Sequence, residues 1–444
     1  MEAPSPFKPQ PVVEAAFPDL YPSLRPQEAK VEANRCLYCF DAPCAAACPT
    51  HIDVPAFIKK IASGNLRGSA HTILESNALA LSCSRACPVD VLCEGACVMH
   101  RYNKQPIEIG LLQRHAMEAF LASGETLPLA DELDAAPGRF AMIGAGPASL
   151  ACAAELARRG HHVEVFDRRA LPGGLNTHGI AEYKLGAEDS LREIGLIEQL
   201  GVVFHFNQNV DAERLLALEA EYDGIFLGVG LGAMHKLNIP GEDLDGVINA
   251  LDFIAGYKTG GIDSVPESVV VVGAGNTAID AAIAARRLGA REVRMVYRRG
   301  EAEIPAFRFE YEHARAEGVV FHWHRQPVSI LAEGDSVSGL TLVPVLWEDQ
   351  GMRYIHEQPE VVACQMLIPA IGQSPLAEFL QSVRGIVFEN GRVVIDRATG
   401  RTNDPLYYAG GDCVNGGREV VDAVADGKRA ALAMVAAVKV GSNA

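Results

Sequence analysis

One repeat constrains this chain more than any other feature. FAMIGAGPASLACAAELARRG, from Phe140, is followed by HHVEVFD; about 130 residues later the pattern returns as SVVVVGAGNTAIDAAIAARRLG followed by REVRMVY. Each copy reads as a short apolar strand, a glycine loop, a helix and a second strand. Strands that alternate with helices require parallel sheets covered by helices on both faces. The first loop is Gly144-Ala145-Gly146-Pro147-Ala148-Ser149, with serine where a third glycine or alanine is usual. Glycines there let backbone approach a pyrophosphate, and the helix N-terminus offers N–H donors. The next strand ends in Asp167, placed to accept hydrogen bonds from an adenosine ribose. A glycine turn alone occurs in many folds; the full context implies a dinucleotide site.

The second loop is Gly273-Ala274-Gly275-Asn276-Thr277-Ala278, and its following strand ends in Arg298-Arg299. Arginines in place of an acid suit a 2′-phosphate, as in NADP; the alternative is two arginines on a solvated loop. Two dinucleotide folds in one chain imply a flavin and a nicotinamide nucleotide. The segment YYAGGDCVNGGREVVDAVADGKRAA assigns them. It reads as a buried strand, Gly410-Gly411, Asp412 for a ribityl hydroxyl, and a helix starting after Gly416-Gly417. That helix N-terminus would face the pyrimidine end of a reduced flavin. The segment must fold back on the first copy, which makes the FAD domain discontinuous. The second copy then binds NAD(P)H.

Cys152, Cys364 and Cys413 stand alone in this part of the chain and read as small buried hydrophobes. Dithiol exchange is thereby disfavoured, and electrons leaving the flavin need another exit. The remaining eight cysteines crowd between residues 36 and 97 as C-x2-C-x4-C-x3-C-P (Cys36, Cys39, Cys44, Cys48) and C-x3-C-P-x5-C-x3-C (Cys83, Cys87, Cys93, Cys97). Eight thiolates suffice for two [4Fe–4S] clusters. In two-cluster ferredoxins the cysteine before proline serves the other cluster. That rule puts Cys36, Cys39 and Cys44 on one cluster, completed from the second group, and Cys48 with Cys87 and Cys93 on the other. Two structural zincs are the alternative, although zinc favours paired knuckles over bursts of four.

Around these cysteines the sequence is helical: QEAKVEANR, VPAFIKKIASGN, LRGSAHTILES after a Gly64-Asn65 turn, and GLLQRHAMEAFLASG. The character changes at AAPGRF (135–140). GIFLGVG, MLIPAIG and YYAGG read as buried strands leaving through glycine turns. The expected fold is α/β, with an N-terminal α-helical two-[4Fe–4S] domain (1–137) and two Rossmann-like dinucleotide-binding domains. FAD would be held by 138–252 and 374–444, and NAD(P)H by 253–373.

The 444 residues are 49% hydrophobic and 21% charged, as expected of a globular chain of two to four domains. A net charge of −17 argues against nucleic acid and anionic lipid as partners. The sequence shows no run of eighteen apolar residues and no secretory signal in its proline-rich start, so a cytoplasmic location is expected. In a reducing compartment, closely spaced cysteines are metal ligands more often than disulfides. No Ser/His/Asp set or paired carboxylate site stands out, so no catalytic residue is assigned and hydride transfer is expected at FAD. His322 and His324, in FHWH, are expected on one exposed strand face.

These motifs together resemble the FAD and iron–sulfur family that contains the glutamate synthase small subunit and the N-terminal half of dihydropyrimidine dehydrogenase. The resemblance runs from about Glu28 onward. GGLNTHGIAEYKL (173–185) and PAFRFEYEHARAEGVVFHW (305–323) are most similar to NAD-dependent dihydropyrimidine dehydrogenase subunits. Glutamate synthase small subunits read GGLLMYGIPxFKL at the first stretch, where this chain has Asn176-Thr177 and Ala181-Glu182-Tyr183.

The resemblance implies that Cys97 completes the first cluster and Gln113 the second, with Cys83 as the alternative fourth ligand. Without it, Gln113 reads as an ordinary polar helix residue. The FAD residues expected are Gly144, Gly146, Pro147, Ala148, Ser149, Asp167, Arg168, Gly174, Leu175, Lys184, Gly411 and Asp412. Those expected for NAD(P) are Gly273, Ala274, Gly275, Asn276, Thr277, Arg298, Arg299, Ala370 and Gly372. The arginine pair matches an NADPH site, while the closer resemblance implies NADH; NADH is the expectation, with NADPH left open. The sequence lacks the FMN barrel that reduces uracil or thymine, so the resemblance implies an FMN-containing partner subunit, with iron–sulfur clusters of its own. A glutamate synthase small subunit is the competing enzyme, and a zinc-stabilised docking module on a lone diaphorase the reading from another class.

Overall fold

Asp53 and Asn65 accept backbone N–H bonds from Ala56 and Gly68, which starts the helices Val54–Ala62 and Leu66–Ser76 where the sequence marks them. Gly64, at φ +83°, makes the turn between them. Helices Pro26–Ala33 and Ile109–Ser123 complete the expected set, the latter closed by left-handed Gly124. The computed structural model describes residues 15–130, 137–348 and 351–441. The first fourteen residues of the proline-rich start and the first two of AAPGRF lie outside them.

The chain divides into two compact units. One comprises Leu20–Thr177, Glu188–Leu231 and the chain from Pro375 onward; the other comprises the segment up to Asp19, His178–Ala187 and Gly232–Ser374. The cysteine-bearing helices and the first glycine loop therefore share one unit.

In that unit β1 (Arg139–Ile143), β2 (His162–Phe166), β3 (Val203–His205) and β4 (Gly224–Leu227) are parallel, in the spatial order 4-1-2-3. β1 and β4 are buried along nearly their whole length, as expected of strands covered on both faces. The chain runs outward from β1 through β2 to β3, then returns to the other side of β1 as β4. This reversal is a topological switch point, where open α/β sheets leave a crevice at the strands' carboxyl ends.

The other unit repeats the plan. β5 (Ser268–Val272), β6 (Glu292–Tyr297) and β7 (Val320–Trp323) run outward. An antiparallel layer follows: β8 (Arg325–Glu333), β9 (Ser336–Glu348), β10 (Gly351–Tyr354) and β11 (Glu360–Ala363). β12 (Met366–Pro369) then pairs parallel with β5 on its free side. Val270, Val272 and Val296 pack against Ile330, Leu340 and Val362 of the antiparallel layer. β7 ends at Trp323, and His324 adopts φ +55°. His322 and His324 therefore do not share a strand face, a correction caused by the left-handed turn into β8.

Back in the first unit, β13 (Phe388–Glu389) and β14 (Arg392–Val393) form a hairpin, and β15 (Tyr407–Ala409) joins β4 in parallel as the fifth strand. The following Val420–Gly441 helix packs on the Pro147–Arg158 helix. At Gly427 a Cβ would stand 2.0 Å from the Ala148 carbonyl oxygen, so glycine sets the approach of the two helices. Their interface continues into one core with Phe57, Ile73, Leu112 and Met117 of the cysteine-bearing helices.

Candidate cofactor sites

Gly144 follows β1 at φ +90°, and a Cβ there would meet the Gly228 carbonyl oxygen, just past β4, at 2.7 Å. The loop thus opens at the switch point. Asp167, just past β2, accepts the Ala145 N–H at 2.7 Å and the Arg169 N–H at 2.8 Å. The Gly173 N–H donates to Ala145 O at 2.8 Å, and a Cβ on Gly174 would stand 2.9 Å from Gly146 Cα. Gly411, at φ +71°, lies against Ala148, and its N–H donates to Asp426. Residues 144–149, 167, 173–174 and 411–412 are thereby gathered at one end of the sheet. Arg168 is exposed and Leu175 half-buried beside them. Burial pushes the Asp412 carboxyl above its usual range, against the Arg418 N–H that it accepts.

The second loop has the same design. Gly273, at φ +134°, would carry a Cβ 2.3 Å from the Ala370 carbonyl oxygen, just past β12. Ala306 N–H donates to Ala274 O, and Phe307 N–H donates to Asn276 Oδ1, so the 305–307 segment is fixed on the loop. Thr277 is half-buried in the first turn of the Asn276–Arg287 helix. Gly372, at φ +92°, accepts the His235 N–H through its carbonyl. Arg298 is exposed, and Arg299 lies over Trp347 with its guanidinium carbon 5.1 Å from the ring centre.

The middle glycines differ from the first ones. A Cβ on Gly146 would meet only Gly228 O, at 3.8 Å, and one on Gly275 would meet nothing within 4 Å. Both have ordinary φ, −80° and −81°. Neither glycine is required by the chain's own packing, so the open space beside each is what a pyrophosphate would fill. Ser149 Oγ, in the first turn of the helix, is buried with no hydrogen-bond partner among the described residues. Both loops fit dinucleotides.

Lys184 belongs to the second-loop unit. Its buried Nζ lies 2.6 Å from Asp280 and 2.8 Å from Glu310. Burial opposes its charge, but the two carboxylates outweigh that and raise its pKa. Tyr183 donates to Asp280 at 2.9 Å, and Lys258 donates to the carbonyls of Ile180 and Leu185. Lys184 and the buried Lys258 thus hold the 178–187 segment.

In the cysteine region, Cys36, Cys39, Cys44 and Cys97 line one small pocket, partly open to solvent and walled by Val54, Ile58 and Met99. Cys48, Cys83, Cys87 and Cys93 form a second neighbourhood. There the Cys87 thiol is raised first by its hydrogen bond to Cys83 and by burial, then by the charges of Cys83, Cys93 and Cys48. Burial also pushes Cys44 up to about 11 and Cys93 higher still. Gln113 is buried, and its Nε2 donates to Ala80 O at 2.7 Å, against the Ala80–Ala86 helix that carries Cys83. All eleven cysteines are free thiols. Among the described residues, no group of three or more His, Cys, Asp or Glu is arranged to hold a single metal ion. A four-iron cluster takes one thiolate per iron and so needs a wider set, which four cysteines around a cavity fit.

One buried group here has no sequence signal at all. Glu193, from the Ala187–Glu198 helix, accepts the Leu81 and Ser82 N–H groups at 2.6 and 3.1 Å and the Ser82 hydroxyl at 2.6 Å. It caps the Ala80–Ala86 helix from 111 positions away in the chain. Burial pushes its carboxyl up to about 7, outweighing the three donors. A raised carboxyl is protonated longer in the folded chain than in the unfolded one. Its contribution is therefore fully present below pH ~4.5, declines as pH rises, and is lost above about 7. The loss is of order 3 kcal/mol. Glu193→Gln is expected to flatten this fall; urea unfolding of both proteins at pH 5 and 8 checks it, and equal pH slopes would refute it.

Two family models together match most of the chain. Residues 13–125 match "dihydropyrimidine dehydrogenase domain II, 4Fe-4S cluster", and residues 138–427 match "pyridine nucleotide-disulphide oxidoreductase". The glutamate synthase [NADPH] small chain of Halomonas elongata is 34% identical over 438 residues, covering 93% of this chain and 92% of its own. The NAD-dependent dihydropyrimidine dehydrogenase subunit PreT of Salmonella typhimurium is 32% identical over 427 residues, covering 94% and 96%. Among solved structures, Mycobacterium tuberculosis FprA in complex with NADPH shares the fold over 69% of this chain and 86% of its own, with a TM-score of 0.54 at 20% identity. The chain belongs to the family of FAD- and NAD(P)H-dependent oxidoreductases related to glutamate synthase small subunits and PreT-like dihydropyrimidine dehydrogenase subunits.

Proposed function

We propose that the chain is the electron-input subunit of a dihydropyrimidine dehydrogenase. It would take electrons from NAD(P)H and deliver them to an FMN-containing partner that reduces uracil or thymine to the 5,6-dihydro form. The observation that carries this reading is the convergence of Cys36, Cys39, Cys44 and Cys97 on one cavity, in the same compact unit as the first glycine loop. Bound FAD would supply a hydride acceptor able to release electrons singly, and two [4Fe–4S] clusters would supply one-electron carriers.

The chain's own residues bind, orient and exclude water. Gly146 and Gly275 leave room for the pyrophosphates, and the helices behind them present N–H donors. Asp167, held by the Ala145 N–H, would accept hydrogen bonds from a ribose at the first loop. The FAD region is 138–252 with 374–444, the NAD(P)H region 253–373 and the cluster region 1–137. Cys36, Cys39, Cys44 and Cys97 would hold one cluster; Cys48, Cys87 and Cys93, with Gln113 or Cys83, the other. Burial disfavours thiolates at Cys36 and Cys44, so deprotonation there needs the positive charge of a bound metal.

A second reading, the small subunit of a glutamate synthase, is favoured by the identity to the Halomonas elongata chain. Turnover with a partner separates the two. Mixed with an FMN-containing pyrimidine-reducing subunit, the chain is expected to oxidise NAD(P)H only when uracil or thymine is added. Oxidation that needs glutamine and 2-oxoglutarate, with an amidotransferase partner, would establish the second reading instead. The anaerobically purified chain should carry about eight irons, falling to roughly half in Cys36→Ser. Zinc in place of iron would overturn the cluster assignment.

A further inference from the structure

β6 is followed by Arg298-Arg299, at the position where β2 is followed by Asp167 in the first copy. What holds this dipeptide is remote in sequence. The Trp347 indole N–H, near the end of β9, donates to the Arg298 carbonyl at 3.2 Å. The same ring lies beneath the Arg299 guanidinium, 5.1 Å from carbon to centroid. The next carbonyl, of Arg299, accepts the His324 N–H at 3.0 Å. The Tyr297 hydroxyl donates to Glu303 O at 3.2 Å, and Glu303 accepts the Gly300 N–H at 3.1 Å. Both backbone carbonyls and one guanidinium are thereby fixed, while Arg298 projects into solvent. No carboxylate among the described residues pairs with either arginine.

Loose surface arginines bind phosphate weakly because ordering a long side chain costs rotamer entropy. Stacking on an indole removes much of that cost for Arg299 and leaves its N–H edge available for an anion. Trp347 is 44% exposed, so the stack lies open at the surface and is not part of the core.

We propose that Trp347 is a positioning and specificity-determining residue. By fixing the Arg298 carbonyl and the Arg299 guanidinium, it builds a two-arginine receiver for the adenosine 2′-phosphate and so selects NADPH over NADH. The proposal rests on the reading that the second loop binds the nicotinamide nucleotide. His324 supports the receiver through backbone alone, so its side chain is not part of the selection.

The test uses the intact, cofactor-loaded chain with ferricyanide as acceptor, measuring kcat/KM for NADPH and NADH and inhibition by 2′,5′-ADP against 5′-ADP. The wild type is expected to prefer NADPH and to bind 2′,5′-ADP more tightly than 5′-ADP. Arg298→Ala and Arg299→Ala should each lower the NADPH:NADH ratio of kcat/KM by ~10-fold or more, since charge-assisted phosphate bonds are involved. Trp347→Ala should lower it ~3- to 10-fold, mostly through KM for NADPH, and Trp347→Phe, which keeps a ring and loses the N–H, should fall between. A Trp347→Ala protein that loses both nucleotides in equal proportion would overturn the proposal and mark Trp347 as structural. So would a wild type that favours NADH and does not distinguish the two inhibitors. Flavin reduction by neither nucleotide would overturn the underlying reading, and the proposal with it.

Discussion

Replacing Lys184 by methionine is expected to destabilise its unit by about 3–5 kcal/mol, the largest single effect on stability that we foresee. Asp280 and Glu310 are each largely buried, and Lys184 is the cation between them. Removing it takes the shared cation from two largely buried carboxylates. Methionine fills most of the volume, so the loss measures charge and not cavity. Asp280→Asn and Glu310→Gln, added to Lys184→Met, should restore most of the stability, because the amides carry no charge and Tyr183 keeps a partner. Both tryptophans of the chain, Trp323 and Trp347, lie in this unit, so indole fluorescence follows its unfolding in urea. The midpoint should fall by on the order of 2 M. A shift corresponding to less than about 1 kcal/mol would show that the network contributes little.

The second large effect separates two glycines of one loop. Gly273→Ala must place a Cβ 2.3 Å from the Ala370 carbonyl oxygen while holding φ at +134°. The overlap is with backbone of a neighbouring strand, which cannot rotate away. Overpacking and backbone strain each cost about 1–3 kcal/mol. Gly275→Ala has open space and ordinary φ, so its melting temperature should match the wild type. Its defect should appear only with nucleotide, as a rise of at least ~10-fold in KM for NAD(P)H, where the methyl meets the pyrophosphate. Melting curves and nucleotide titrations of the two variants check this. A destabilised Gly275→Ala, or one that binds nucleotide normally, would contradict it.

Local pattern made much of this legible beforehand. Asp53, Asn65 and Gly124 mark helix ends through their own side chains or conformational freedom, so the sequence around each is sufficient. The glycine loops were readable because strand, loop and helix are contiguous, and both lie at switch points of their sheets. The convergence of Cys97 on Cys36, Cys39 and Cys44 entered through family resemblance, since spacing within each burst cannot specify which distant cysteine completes a set.

What escaped depends on distance along the chain. Glu193 caps a helix 111 positions away, and Trp347 steadies an arginine 48 positions before it. Each is an unremarkable residue in its own helix or strand, with no periodicity to mark it. The antiparallel β8–β11 layer lies between two stretches of alternating strand and helix, whose pattern points to parallel pairing alone. Lys184, a residue expected for the flavin, has its Nζ between Asp280 and Glu310 in the second-loop unit.

The pairing of β15 with β4 also sets the order in which a growing chain can finish its sheet. Tyr408 faces Phe226, about 180 positions earlier. At ordinary synthesis rates β4 waits about 10–40 s on the ribosome for its neighbour. During that interval its edge is open and apolar, the condition under which nascent chains pair with one another. Yield in a heterologous host should therefore depend on chaperone supply and growth temperature.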